Sequence, residues 1–104
     1  MNHIDELREV IRKLHGAHAT HVESVPVKEM FKGETVWEGI VEVFDLRDHP
    51  TASRAYAWAH DTDNPERPKR HVAVLHIHPV TSPIMAVRAA IREEIRNLGT
   101  AEAE

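Results

Sequence analysis

The 104-residue chain contains no cysteine. That absence removes disulfides, thiolate nucleophiles and cysteine-based zinc sites together, and leaves packing to hold the fold. No apolar run approaches the ~20 residues that span a bilayer. The first residues read as a mixed-charge helix and lack the apolar stretch of a secretory signal. The expected location is therefore the cytoplasm, without membrane contact. Basic charge is also short: the formal net charge is −4, so the overall field does not draw the chain to nucleic acid or anionic lipid. Glycine is scarce and scattered, at positions 16, 33, 39 and 99, and builds no phosphate-cradling loop.

What is present is ordinary for a globular domain. Hydrophobic residues make up 41% and charged residues 29% of the chain, enough for one modest core. Residues 1–104 read as a single domain with a fraying tail at 100–104. The unusual count is nine histidines.

Ile4, Leu7, Ile11 and Leu14, widened by Val10, recur at helical spacing and predict a helix over residues 3–15, with Asn2 as its N-cap and Gly16 as its stop. From Thr20 to Phe31 the pattern becomes extended. Pro26 interrupts it and marks an edge strand or a bulge, because a central strand needs the missing N–H. Lys32-Gly33-Glu34 is a turn. In the next strand, Thr35 to Leu46, Trp37, Val41 and Val43 share one face, and Glu38, Ile40, Glu42 and Phe44 share the other.

Residues 53–60 alternate Arg54, Tyr56, Trp58 and His60 with Ala55, Ala57 and Ala59, which predicts a third strand. Its alanine face admits close approach of a helix. A polar loop with two prolines follows, and then His71-Val72-Ala73-Val74-Leu75-His76-Ile77-His78-Pro79, read as a central strand that pairs with residues 53–60 and is stopped by Pro79. Ser82 and Pro83 open a closing helix along the stripe Ile84, Val87, Ile91, Ile95 and Leu98, ended by Gly99.

The predicted class is α+β: an N-terminal helix, a four-stranded antiparallel meander and a C-terminal helix. The simplest burial of both stripes puts both helices on one face of the sheet. The other face, with Phe44, Ile40, Tyr56 and Trp58, is then an interaction surface, and the partner it implies is a second copy or another protein.

Two constellations could carry chemistry. His76 and His78 stand two apart on a strand and share a face; with His60 they make a candidate set of ligands for a divalent transition metal such as zinc. Arg88, Arg92 and Arg96 recur every fourth residue of the closing helix and form a candidate anion-binding row. No local context singles out a serine nucleophile. The leading expectation is a non-catalytic interaction or regulatory module acting as a homodimer, with no cofactor. The alternative is a small metal- or histidine-dependent, hydrolase-like enzyme centred on the H-x-H strand.

With a pI near 6.1, net charge crosses zero just below neutrality. Solubility measured across the acidic range should pass through a minimum near pH 6.1; a curve that rises or falls steadily through that pH contradicts the charge balance.

Overall fold

The computed structural model describes residues 3–61, 65, 66 and 68–103, with backbone only for residues 94–103. The N-cap expected at Asn2 and the stripe residues Ile95 and Leu98 fall outside what is described. The order is helix α1 (His3–His15), strands β1 (His18–Phe31), β2 (Glu34–Arg47), β3 (Arg54–Asp61) and β4 (Lys69–Leu75), and helix α2 (Pro83–Ala103). The strands form one antiparallel sheet in the order β1-β2-β3-β4. The α+β class and the meander are as the pattern predicts. Among the described residues, no helix is long and apolar enough to cross a membrane.

Local chemistry sets the boundaries. Gly16 takes φ +68° and its N–H donates to the Arg12 carbonyl at 2.9 Å, closing α1. Lys32 and Gly33 both adopt positive φ, 52° and 80°, the turn that matches the twist of a tight hairpin between Phe31 and Glu34. Ser82 Oγ accepts from the Met85 N–H at 3.4 Å and Pro83 follows it, so α2 starts at its expected cap. Helix α2 does not stop at Gly99 but runs on to Ala103; one glycine inside a helix costs only about 1 kcal/mol. Pro26 lies in β1, an edge strand with register irregularities between His21 and Glu23 and between Glu29 and Met30, as a proline requires. The histidine-bearing strand, expected to be central, is the other edge; β2 and β3 hold the centre.

The two helices do not share a face. Leu7 and Ile11 of α1 pack with Ala19, Phe44, Ala55 and Ala57. Ala86 and Val87 of α2 pack with Val27, Val41, Val43, Tyr56 and Trp58. Because neighbouring strand residues point to opposite sides, these two clusters lie on opposite faces of the sheet. The one-face arrangement is therefore corrected: β2 and β3 carry apolar residues at both odd and even positions, and a single layer of helices would leave one set in water. Along β3, rings and methyls are sorted by face. The small side chains of Ala55 and Ala57 bring α1 close, and α2 rests on Tyr56 and Trp58.

Side-chain bonds tie each helix to its own side. His15 Nε2 lies 3.3 Å from the Ala73 carbonyl and donates to it from the end of α1. On the other side Arg88 of α2 donates to the Glu29 carboxylate of β1, and that hydrogen bond holds the Glu29 pKa below the usual carboxylate value.

The opposite-face arrangement has an energetic signature. Phe44→Ala should lower the unfolding free energy by about 3–5 kcal/mol and Leu7→Ala by about 2–5 kcal/mol, read by urea denaturation. The pair should couple by more than about 0.5 kcal/mol, whereas Phe44→Ala with Val87→Ala should be additive. Equal coupling for both pairs would put the helices on one side after all.

Candidate functional site

The structure scatters the candidate metal ligands. Strand β4 ends at Leu75, so His76 leaves the ladder and His78 sits in the turn beyond it, joined to Pro79 by a cis peptide bond. His60 pairs in register with Arg70, whereas the His76 N–H donates to the carbonyl of Arg54. His60 and His76 therefore stand at opposite ends of the β3–β4 pair, six residues apart along β3, or ~20 Å at ~3.4 Å per residue. Among the described residues no group of three or more metal-ligating side chains is arranged around a point. The set His60, His76 and His78 is corrected on that geometry.

His76 instead meets Tyr56. The Tyr56 hydroxyl and His76 Nδ1 are 2.5 Å apart, and the rings lie 5.7 Å apart with a 36° tilt. One hydrogen bond joins the two groups, the hydroxyl able to donate or accept according to the imidazole tautomer. Alternation places Asp45, Arg54, Tyr56 and His76 on the α2 side at one end of the sheet, where Arg54 Nε donates to Asp45 Oδ1 at 3.2 Å. A shallow hollow of about 500 Å³ opens there, lined by Asp45, Leu46, Ser53, Arg54 and His76. Burial pushes the Tyr56 hydroxyl pKa above its ordinary value, and the nearby Arg54 charge pulls the other way.

The residues expected to form an interaction surface divide. Phe44, Tyr56 and Trp58 are buried, with 0%, 2% and 2% of their surface exposed, because each face of β3 lies under a helix. They are corrected from surface to core. Ile40 remains exposed at 47%, and Met30, Phe31 and Val36 of the same hairpin, which the sequence pattern did not single out, are exposed as well. Their exposure follows from the sheet's shape. β1 and β2 pair from end to end, but β2 pairs with β3 only from Glu42 to Asp45, so the far half of the β1–β2 hairpin stands out as an arm. On the α2 side the arm is covered, with Val27 in the α2 cluster and Glu29 held by Arg88. On the α1 side the register aligns Pro26 with Ile40 and Lys28 with Glu38, and none of these residues packs in the α1 cluster. Pro26, Lys28, Met30, Glu38 and Ile40 are all exposed.

One polar group is sunk at the root of this uncovered side. Glu42, 5% exposed, accepts from His21 Nε2 at 2.8 Å and from the Ser24 hydroxyl, both on β1. His21 also turns its ring edge to Phe44, with centroids 5.4 Å apart. A buried carboxylate needs such donors, and the bulge between His21 and Glu23 lets two β1 side chains reach the same oxygen.

The candidate anion row is not three unpaired cations: Arg88 is engaged by Glu29, Arg92 is exposed, and the Arg96 side chain lies outside the described residues. No protein-family model, curated protein or solved structure matches the chain.

Tyr56 is the single tyrosine of the chain, so ultraviolet titration of tyrosinate reads it alone. Its ionisation should come above the ordinary value near pH ~10. Because the folded pKa is raised, the contribution to stability is complete below the unfolded pKa and is lost as pH rises through the folded one. His76→Ala, which strands the buried hydroxyl, should lower stability by about 1–3 kcal/mol. A tyrosine titrating at or below its ordinary value would contradict the buried pair.

Proposed function

We propose that this protein is a non-catalytic interaction module that works in the cytoplasm as a homodimer, docking through the α1 side of the β1–β2 arm. The observation that carries the reading is the uncovered strip of Pro26, Met30 and Ile40, flanked by the exposed cross-strand pair Lys28 and Glu38. Such a strip is self-complementary. A two-fold axis sets the same patch against itself, and residue i of one copy meets residue j of the other in both directions. With both signs of charge beside the apolar strip, Lys28 of one copy finds Glu38 of its partner while the apolar groups meet. The arm's bulges, at Val22 and at Val36, twist the strands locally, which opposes open-ended edge pairing and favours closure as a pair.

The histidine-dependent enzyme alternative retains one supporting observation, the Tyr56–His76 pair beside Arg54 in the shallow hollow. Its metal-centred form loses its ligand set with the separation of His60 from His76.

Light scattering and sedimentation of the 11.8 kDa chain test the dimer directly. Burying an isoleucine side chain is worth about 1.5–3 kcal/mol, and a two-fold interface counts it twice. Ile40→Lys should therefore weaken association by about a hundredfold or more while leaving the circular dichroism spectrum unchanged. A wild-type chain that stays at the monomer mass up to its solubility limit removes the proposal, as does a dimer indifferent to Ile40→Lys.

A further inference from the structure

Where β2 and β3 part beyond Glu42 and Ala57, a cleft of about 550 Å³ opens on the α2 side, away from the proposed dimer strip. Its walls are Trp37 of the arm, Trp58 and Val72 of the β3–β4 pair, and Val87, Ala90 and Ile91 of α2. That volume lies within the range of about 300–1,000 Å³ of small-molecule sites, which are mainly apolar with a few placed polar groups. Trp58, 2% exposed, closes the floor. Half-buried Trp37 stands edge to face against it, centroids 5.6 Å apart and planes at 68°, and is the indole that stays accessible.

Gly39 keeps that wall in place. It lies two residues beyond Trp37 on the same side of the strand, and a Cβ there would come within 3.1 Å of the Trp37 ring. The missing side chain lets the indole lie along the strand.

Charge around the cleft decides the kind of ligand. Arg70 and Glu93 reach its rim, and each already has an interaction of its own. Glu38 alternates to the α1 side of the arm, where the register aligns it with Lys28. A ligand with a formal charge would therefore give up its hydration without an unengaged counter-charge among the described lining residues, and an unpaired ion is costly to bury. One polar group is open. His60 shares the face of Trp58 on β3 and lines the cleft. Its Nδ1 lies 3.2 Å from the Asp61 carbonyl oxygen, which can only accept, so Nδ1 carries the proton and Nε2 of the neutral ring is an acceptor.

We propose that the cleft binds a small uncharged aromatic molecule, its ring packed on Trp37 and Ala90 and a single N–H or O–H donated to His60. The site is separate from the α1 side of the arm and does not require the dimer.

Trp37 and Trp58 are the only two tryptophans of the chain, so the ¹⁵N-labelled protein shows two indole N–H signals, and Trp37→Phe tells them apart. The probes are indole, which has one N–H, benzofuran, the same bicycle with oxygen in its place, and indole-3-carboxylate, an anionic counterpart. In mildly alkaline buffer, where imidazole is neutral, indole should shift the Trp37 signal saturably at one site per chain. Benzofuran should bind there about fivefold more weakly, the margin of one hydrogen bond, and His60→Leu should erase that margin by weakening indole alone. The carboxylate should bind at least about tenfold more weakly than indole. Ala90→Phe, which fills the cleft, should weaken indole and benzofuran alike by at least about tenfold.

If Ala90→Phe loses the dispersed spectrum of a folded chain, competition on the wild type decides. Displacement of indole by benzofuran at a single site supports the proposal, and independent uptake of both overturns it. A Trp37 signal that stays still or shifts without saturating, undiminished binding to folded Ala90→Phe, equal affinity for indole and benzofuran, equal loss of both in His60→Leu, or a carboxylate bound as tightly as indole would each overturn it as well.

Discussion

Strand β3 presents methyl groups on one side and aromatic rings on the other, and the placement of both helices follows from that difference in size. Ala55 and Ala57 leave room for Leu7 and Ile11 to approach the sheet, and Phe44 fills the adjacent space from β2. Tyr56 and Trp58 form the floor on which Val87 and Ala86 settle. Neither layer suffices alone. A chain of this size buries a smaller share of its surface than a large domain does, and two thin cores back to back use both faces of the central strands where one thick core would use a single face. Polar anchors then hold each helix in register: His15 against Ala73 on one side, Arg88 against Glu29 on the other.

The same central strand limits the sheet. β3 is eight residues long and β2 fourteen, yet the ladder between them stops at Ala57, and from Trp58 to Asp61 β3 stays paired with β4 alone. The β2–β3 ladder ends at four pairs, and the sheet divides into the β1–β2 arm and the β3–β4 pair. One side of the arm is left without a helix, and the wedge between the arm and the pair becomes a cleft. Exposed Ile40 and the gap between the arm and the β3–β4 pair are thus two consequences of the parting of β2 and β3 beyond Ala57.

Much of this was legible in the residues. Period and caps located α1, the start of α2 and all four strands, Pro26 marked an edge, and the separation of Trp37, Val41 and Val43 from Ile40, Glu42 and Phe44 is the separation observed. The assignment of helices to faces was not legible, because alternation says which side chains lie together and nothing about which helix covers them. The metal set failed for a reason that was open to inspection. Pairing residues 53–60 with the strand after the loop already puts His60 beside the loop and His76 at the far end of the hairpin. Antiparallel order alone separates them, and only a parallel pair would have brought them together.

His76 keeps a role that spacing could not suggest, because its partner is a residue that reads as core. Tyr56 is 2% exposed yet carries a hydroxyl, and a buried hydroxyl without a partner costs about 1–3 kcal/mol. The chain meets that need just where β4 stops. With the ladder ended at Leu75, the next residue continues on the side of Val74 and Tyr56, and an imidazole there reaches the hydroxyl at 2.5 Å. Glu42 presents the same problem on the opposite face and has the same kind of solution, a histidine drawn from the neighbouring strand. Two of the nine histidines thus serve as partners for polar groups that the two-sided core has buried. In so small a domain with both sheet faces covered, polar atoms of the central strands are hard to keep in water, and imidazole, able to donate or accept, suits both a hydroxyl and a carboxylate.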